Sequence, residues 1–551
     1  MSAEEQQPAA DAPRPRRQRW FVGLAAVVLL AAAAALAITR PWAAFGASGQ
    51  EPATRLTADA PSVFHPDGLV LRLTGDGEAT VSASTLPREA LLAGETVTQW
   101  DAALDDVPPS LTPLSPLYRF RAQGGGPVQA EIAIPNDARP FERLSIYGWD
   151  GAARGWAFVP SQIDEANQIL AAAAPSSEAS WMVFRADPPP PVRASVVRTG
   201  DTPEADAPPL VLLAGLFVGP DGALAGEPAA APQAGTPAVL LIDGRSADLP
   251  PDSGWHAQFA AGVGSRAANA QGVVLDVPLA ADGYADLLGQ VRGALPQGAT
   301  LGVVVRPGEV ASDQLPVLAQ AADTVWLASA DPTAAAEDGA LDRALAALTG
   351  QVVRGRVGLL VTAQPVAVTE AGAERITLAE AAAQVGTAQA VPGYLQPDAP
   401  LAAPRGQVPV QVSGPLLAMG VDSSLGAGYL TFGDDAGNVT LVYVPSAESL
   451  TRQAEWAARY GLGTVAVDAT APDAPQPPAF VWRVSDATGS VIDEFSGGLA
   501  ATQWVWSAPQ ALGAYTISAA LQIGGAELPL GEIPVEVTED VPAAPSTTDA
   551  P

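Results

Sequence analysis

Residues 272–305 read GVVLDVPLAADGYADLLGQVRGALPQGATLGVVV. Two apolar runs, Gly272–Val277 and Leu301–Val305, bracket a stretch, Tyr284–Leu295, that places Leu287, Leu288, Val291 and Leu295 on one helical face. Continuous short apolar runs suit strands buried on both faces, and the 3, 4 and 7 spacing suits a helix covering them. The stretch is therefore a strand–helix–strand unit. The pattern extends both ways. Val211–Val218 and Ala238–Ile242 precede it, and Thr324–Ala328, Val357–Val361, Leu416–Met419, Thr440–Val444 and Thr464–Val467 follow. Leu341–Leu348 and Ser446–Tyr460 read as further helices, the latter with Ser446 at a cap position. About eight strands alternating with helices over 210–471 predict a (β/α)8 TIM-like barrel, with a doubly wound open sheet as the alternative. No glycine-rich phosphate loop follows a strand, so no nucleotide role is expected.

The flanks carry a different period. Over 61–187, Val128–Ile134 alternates apolar and polar residues, and Asp67-Gly68, Gly124–Gly126 and Asp150-Gly151 mark turns. This predicts a β-sandwich of immunoglobulin-like type. Leu144–Ile163 reads as a hairpin whose Trp149 and Trp156 belong to the core. Residues 188–209, opening with a proline run, are read as a linker. Residues 472–538 read as a second, smaller sandwich, and 539–551 as a disordered tail.

The N-terminus predicts an anchor. Trp20–Thr39 is an apolar run long enough to span about 30 Å of hydrocarbon. Arg14, Arg16, Arg17 and Arg19 precede it, so 1–19 is read as a cytoplasmic tail and 40–60 as a tether. The bulk of the chain is then extracytoplasmic. Cleavage near Gly46, Ala47 and Ser48 is the other reading of the same segment.

Composition removes whole classes of function. The 551 residues carry 59 acidic and 28 basic side chains, a net charge of -31. Such a surface repels nucleic acid. All the basic residues are Arg, and the Ala, Gly, Pro and Arg bias suggests a GC-rich bacterial genome. There is no Cys, which excludes disulfides, thiolate metal sites and thiol nucleophiles. With only His65 and His256, a catalytic triad or a multi-histidine metal site is improbable. No metal and no cofactor are expected.

Three segments of the barrel region resemble the family 18 glycoside hydrolases, the chitinases and bacterial envelope and spore-cortex glucosaminidases. Gly437–Asp468 is similar to the family's closing unit, in which a strand leads to a Ser-capped helix, a Tyr-Gly-Leu-Gly turn and the last barrel strand. ANAQGVVLDVP at 268–278 resembles the family's catalytic strand, with Leu301–Pro307 as the next strand. Asp323–Asp331 resembles the strand that ends in the family's Tyr-Asp pair. The family's catalytic pattern is Asp-Gly-x-Asp-x-Asp-x-Glu. Here those places hold Gln271, Gly272, Val274, Asp276 and Pro278. The resemblance implies that the final Glu is the general acid of a substrate-assisted hydrolysis, a role proline does not fill. The Tyr of the pair is Ala330, Asp331 is kept, and the Trp ending the last strand is Asp468.

These departures predict a pseudoenzyme. Asp243, Asp276, Asp331 and Asp468 fall at strand ends, where they would make a strongly acidic mouth suited to hydroxyl-rich sugars, amines or a hard cation, or would simply cap turns. Trp255, Trp326, Tyr429 and Phe432 are the aromatic candidates for a sugar platform, with core packing as the plainer role. The expected function is a bacterial cell-membrane protein that binds or scaffolds N-acetylglucosamine-containing glycan, such as peptidoglycan, a chitin-like polymer or a surface polysaccharide. The alternatives are an active hydrolase whose acid is relocated to Asp282, Asp286 or Glu309, and a purely structural or protein-interaction role.

Overall fold

The computed structural model describes residues 53–92, 107–198, 209–231, 235–245, 253–278, 283–310, 315–329, 339–370, 372–391, 401–404, 407–434, 436–468, 474–509 and 511–538. The expected tail 1–19, anchor 20–39 and C-terminal tail 539–551 lie outside them. Among the described residues, no helix is long and apolar enough to cross a membrane.

At the centre is a closed parallel barrel. Its strands are β1 (Val192–Val197), β2 (Leu210–Val218), β3 (Ala238–Asp243), β4 (Gly272–Asp276), β5 (Thr300–Val305), β6 (Thr324–Ser329), β7 (Val357–Val361) and β8 (Thr464–Asp468). Each pairs in parallel with the next, and β8 pairs with β1 to close the ring. The doubly wound alternative is thereby excluded. Helices α1 (Ser253–Arg266), α2 (Tyr284–Ala294), α3 (Leu315–Ala321), α4 (Ala340–Gln351) and α5 (Ala447–Tyr460) surround it. Side chains alternate along each strand. Val273, Leu275, Val303, Val305 and Leu327 point out to the helices, while Val274, Val304, Trp326, Ala328 and Leu360 fill the lumen.

Two sequence expectations about the barrel are corrected. Its first strand, β1, lies within 188–209, the stretch read as a linker. Val192–Val197 is only six residues long and follows the proline run at once. Conversely, Leu416–Met419 and Thr440–Val444 are not barrel strands. They belong to Leu416–Asp422 and Val439–Pro445, which join Ala427–Gly433, Val366–Thr369 and Gly372–Arg375 in a five-stranded antiparallel sheet inserted between β7 and β8. A short apolar run fixes strand character but not which sheet it enters.

The expected second sandwich at 472–538 is also revised. The C-terminal strands Ala479–Asp486, Val491–Gly497, Gly513–Ile523 and Ala526–Thr538 do pair antiparallel. Their apolar face is covered by the insertion, however. Phe480, Trp482 and Ile517 share one core with Val385, Val410, Leu430, Phe432 and Val442. Two segments separated by α5 and β8 thus make one folding unit.

The N-terminal unit has two antiparallel sheets facing each other across a core that includes Leu71, Phe120, Ile132 and Trp181. It begins inside the expected tether, because Thr54–Leu56 pairs with Ala79–Leu86. Trp149 and Trp156 meet edge to face at 5.6 Å on the predicted hairpin. The unit is clamped to the barrel by Arg354, which is 5% exposed. Its guanidinium donates to Ser145 Oγ and to the carbonyls of Glu142 (2.7 Å) and Leu144 (2.9 Å). Nearby, Arg143 donates to Ala458 and Arg459 carbonyls at the end of α5, and Arg459 pairs with Glu142.

Candidate functional site

Strand parity sets what the C-terminal mouth of the barrel presents. Val274 faces the lumen, so Asp276, two residues on in β4, closes the same inward row. Asp243 of β3 is its register partner, and Phe217 of β2 is the partner of Asp243. Arg306 follows β5 with the parity of Val304.

Asp276 is buried, at 4% exposure, and three arginines converge on it. Arg245 Nε donates to Oδ1 at 2.6 Å, Arg306 Nη2 donates to Oδ2 at 3.4 Å, and Arg375 Nη1 lies 3.6 Å from Oδ2. Arg245 continues the network: its Nη1 and Nη2 donate to the two oxygens of Glu309. Glu309 also accepts from the backbone N–H of Arg306 at 2.9 Å. Asp243 accepts the N–H of Arg245 at 3.0 Å and so fixes the turn that launches this side chain. Tyr284, at the start of α2, is buried beside the cluster and its hydroxyl has no protein partner.

Burial alone would push the Asp276 carboxyl up. The charges of Arg375, Arg245 and Arg306 overcome it and hold the carboxyl below its ordinary value. For Arg245, burial disfavours the cation, but Glu309 and Asp276 more than offset this and the guanidinium is held charged. Arg375 goes the other way. Burial, with Arg306 beside it, lowers its pKa to about 10.

The expectation of a strongly acidic mouth is therefore corrected. Among the described residues, Arg245, Arg306 and Arg375 face Asp243, Asp276 and Glu309, and Arg198 is near enough to Arg375 to oppose its charge. Sequence reasoning missed all four arginines. Arg306 follows β5 directly and Arg245 lies two residues past the end of β3, and that placement was the available signal. Arg375 sits on the inserted sheet, 99 residues from Asp276; only tertiary contact reveals it. Phe217 was also missed. It is 53% exposed on the mouth rim.

The aromatic candidates divide. Trp326 fills the barrel lumen, and its Nε1 donates to Thr324 Oγ1 at 3.1 Å. Gly302 and Gly358 on the flanking strands leave it room, since a Cβ at Gly358 would stand 2.5 Å from the ring. Trp255 is on α1 and stacks on Phe259 at 5.4 Å inside the barrel–helix core. Phe432 is buried in the C-terminal core. Both Trp side chains and Phe432 are buried, as core residues are. Tyr429 stays partly exposed and lies in a cross-strand row with Tyr443, Val366 and Arg375. That row shares one sheet face, the face Arg375 turns to the mouth. Asp331 and Asp282 lie outside the described residues, and of Asp468 only its place at the end of β8 is described.

No group of three or more His, Asp or Glu suited to a metal occurs among the described residues. No protein-family model matches the chain, and no curated protein does. Among solved structures, similar folds include a chitinase from Chromobacterium violaceum, 16% identical, covering 50% of this chain and 93% of that one with a TM-score of 0.33. A family 18 N-acetylglucosaminidase from Paenibacillus barengoltzii is 12% identical, covering 50% and 94% with a TM-score of 0.32. The spore cortex-lytic enzyme SleL of Bacillus megaterium is 11% identical, covering 54% and 75% with a TM-score of 0.32. The neighbours are thus family 18 chitinases and related glycosylases matched over part of this chain; the barrel assignment itself rests on the strand pairing above.

Proposed function

We propose that this chain is a bacterial envelope protein, held at the membrane by 20–39, whose barrel binds glycan without cleaving it. One observation carries the reading: Asp276, the acidic residue kept from the family's catalytic strand in the sequence resemblance, is buried under three arginines. A general acid needs a pKa near the working pH, and this carboxyl is held down instead. Pro278, at the place of the family's acid, has no proton to give. The relocated-acid alternative loses Glu309, whose oxygens are taken by Arg245 and the Arg306 N–H, and Asp286 is solvated on α2. The exposed Phe217 beside Asp243, and Tyr429 farther out on the face carrying Arg375, give a sugar ring apolar surface to rest on. The glycan class, an N-acetylglucosamine-containing polymer, comes from the sequence resemblance and agrees with the substrates named for the neighbouring folds.

The test is titration of the full chain with chitin oligosaccharides and peptidoglycan fragments, following binding and product together. Binding with no product supports the proposal, and sustained cleavage overturns it. A structural role is the second reading, favoured by the way Arg375 ties the insertion to the barrel. Absence of both binding and cleavage selects it.

A further inference from the structure

The arginine cluster holds more cation than its carboxylates use. Arg375 spends only Nη1 on Asp276. Its Nε and Nη2, the two donors on one edge of the guanidinium, are buried with no protein partner. Elsewhere in this protein the same edge is occupied: Arg72 gives Nε and Nη2 to the two oxygens of Glu131 at 2.7 and 3.1 Å. Arg306 likewise leaves its Nε without a partner, as does the Tyr284 hydroxyl. A buried donor without an acceptor is costly, and a charged one more so. Arg306 also stands beside Arg375 and opposes its charge.

The side chains of Arg245, Arg306 and Arg375 keep 18%, 27% and 17% of their surface, although the unpartnered Nε of Arg306 and Nε and Nη2 of Arg375 are themselves covered. A guanidinium edge whose Nε and Nη2 lack protein partners matches a planar oxyanion through two parallel hydrogen bonds, once the side chain turns that covered edge to the ligand. Hydroxyl groups of a neutral sugar satisfy it less well, and an amine repels it.

We propose that Arg375 and Arg306 form an anion subsite at the barrel mouth, which takes the carboxylate of an acidic sugar in the bound glycan. The inference rests on the glycan-binding reading and narrows it to a carboxylate-bearing chain. Two sources share that chemistry, a uronic acid and the lactyl ether of muramic acid. The overall charge of -31 opposes long-range attraction of such a ligand, so selectivity comes from the local fork.

The experiment is calorimetric titration of the full chain with five probes: a trigalacturonate, its methyl ester, an N-acetylglucosamine–N-acetylmuramic acid disaccharide, chitotriose and sodium acetate. We expect one acidic probe to bind at least tenfold tighter than the methyl ester and chitotriose. Which acidic probe wins identifies the source. Arg375→Gln should erase that preference, and Arg375→Lys should restore only part of it, since lysine keeps the charge but not the fork. The acid–ester comparison uses the unaltered chain, so it decides the matter even if a variant misfolds. Equal binding of acid, ester and chitotriose overturns the anion subsite and leaves glycan binding standing. Acetate binding that equals the acidic sugars and depends on Arg375 keeps the subsite and overturns glycan binding. No binding of any probe overturns both.

Discussion

Asp276 is held charged by its neighbours, and it in turn makes their burial tolerable. Replacing it with Asn removes the ion pairs shown for the guanidinium groups of Arg306 and Arg375, and leaves Arg245 paired with Glu309 alone. Removing one partner from a buried charge network typically costs about 3–5 kcal/mol. Asp276→Asn should therefore lower stability by about 3 kcal/mol in urea unfolding. The pH dependence follows from the direction of its shift. The folded carboxyl titrates below the unfolded one, so near the unfolded value of about 3.9 the unfolded state holds more protons. The stabilisation is complete above that pH and disappears as pH falls through the lower folded value. The gap between wild type and Asp276→Asn should then shrink on acidification below about pH 4. A gap that stays constant into strong acid contradicts this account. Gly358 tests the packing of the lumen. An added methyl at 2.5 Å from the Trp326 ring must displace it, so Gly358→Ala should destabilise by about 1–3 kcal/mol and shift the tryptophan fluorescence.

At the scale of elements, α5 is the helix most fully written in the sequence. Ser446 Oγ accepts from the Ser449 N–H at 3.4 Å and donates to the Gly426 carbonyl at 2.6 Å, so the cap also ties the helix to the inserted sheet. The far end stops at Gly461, with φ of +64°, a left-handed turn that glycine adopts freely. Leu462 then donates back to the Ala457 carbonyl at 2.8 Å. Ser446→Ala should cost about 1–2 kcal/mol, read from the denaturation midpoint. A neutral result would mean that the Ser446 hydroxyl contributes nothing to the helix start. The strands were less legible. Gly272–Asp276 and Thr440–Val444 are similar short apolar runs, yet one is in the barrel and the other in the insertion. Local pattern sets the extended conformation, while the partner strand is chosen by contacts distant in sequence.

At the scale of the molecule, three folding units meet through few polar anchors. Arg354 is the main one between the N-terminal unit and the barrel, and burial lowers its pKa to about 10. It answers three oxygens on the segment around Glu142–Ser145. Arg354→Ala leaves those oxygens short of donors at the interface and opens the seam. Limited proteolysis should then release the N-terminal unit faster, and hydrogen exchange should rise at Leu144–Tyr147 with little change in the barrel strands. Unchanged exchange there would mean that Arg143 and Arg459 hold the seam without it.

Local periodicity was enough to show strand–helix alternation across the barrel region and strand character in both flanks. Those properties depend on residues a few positions apart, through side-chain alternation and helical spacing. Tertiary structure alone decided three matters. Val192–Val197 became a barrel strand because β8 and β2 needed a partner on each side to close the ring. The insertion and the C-terminal strands became one unit because neither could bury its apolar face alone. Among the described residues, the mouth became a mixed cluster of arginines and carboxylates because chain closure brought Arg375 to Asp276, and the energy of a charge depends on what surrounds it in space rather than in sequence.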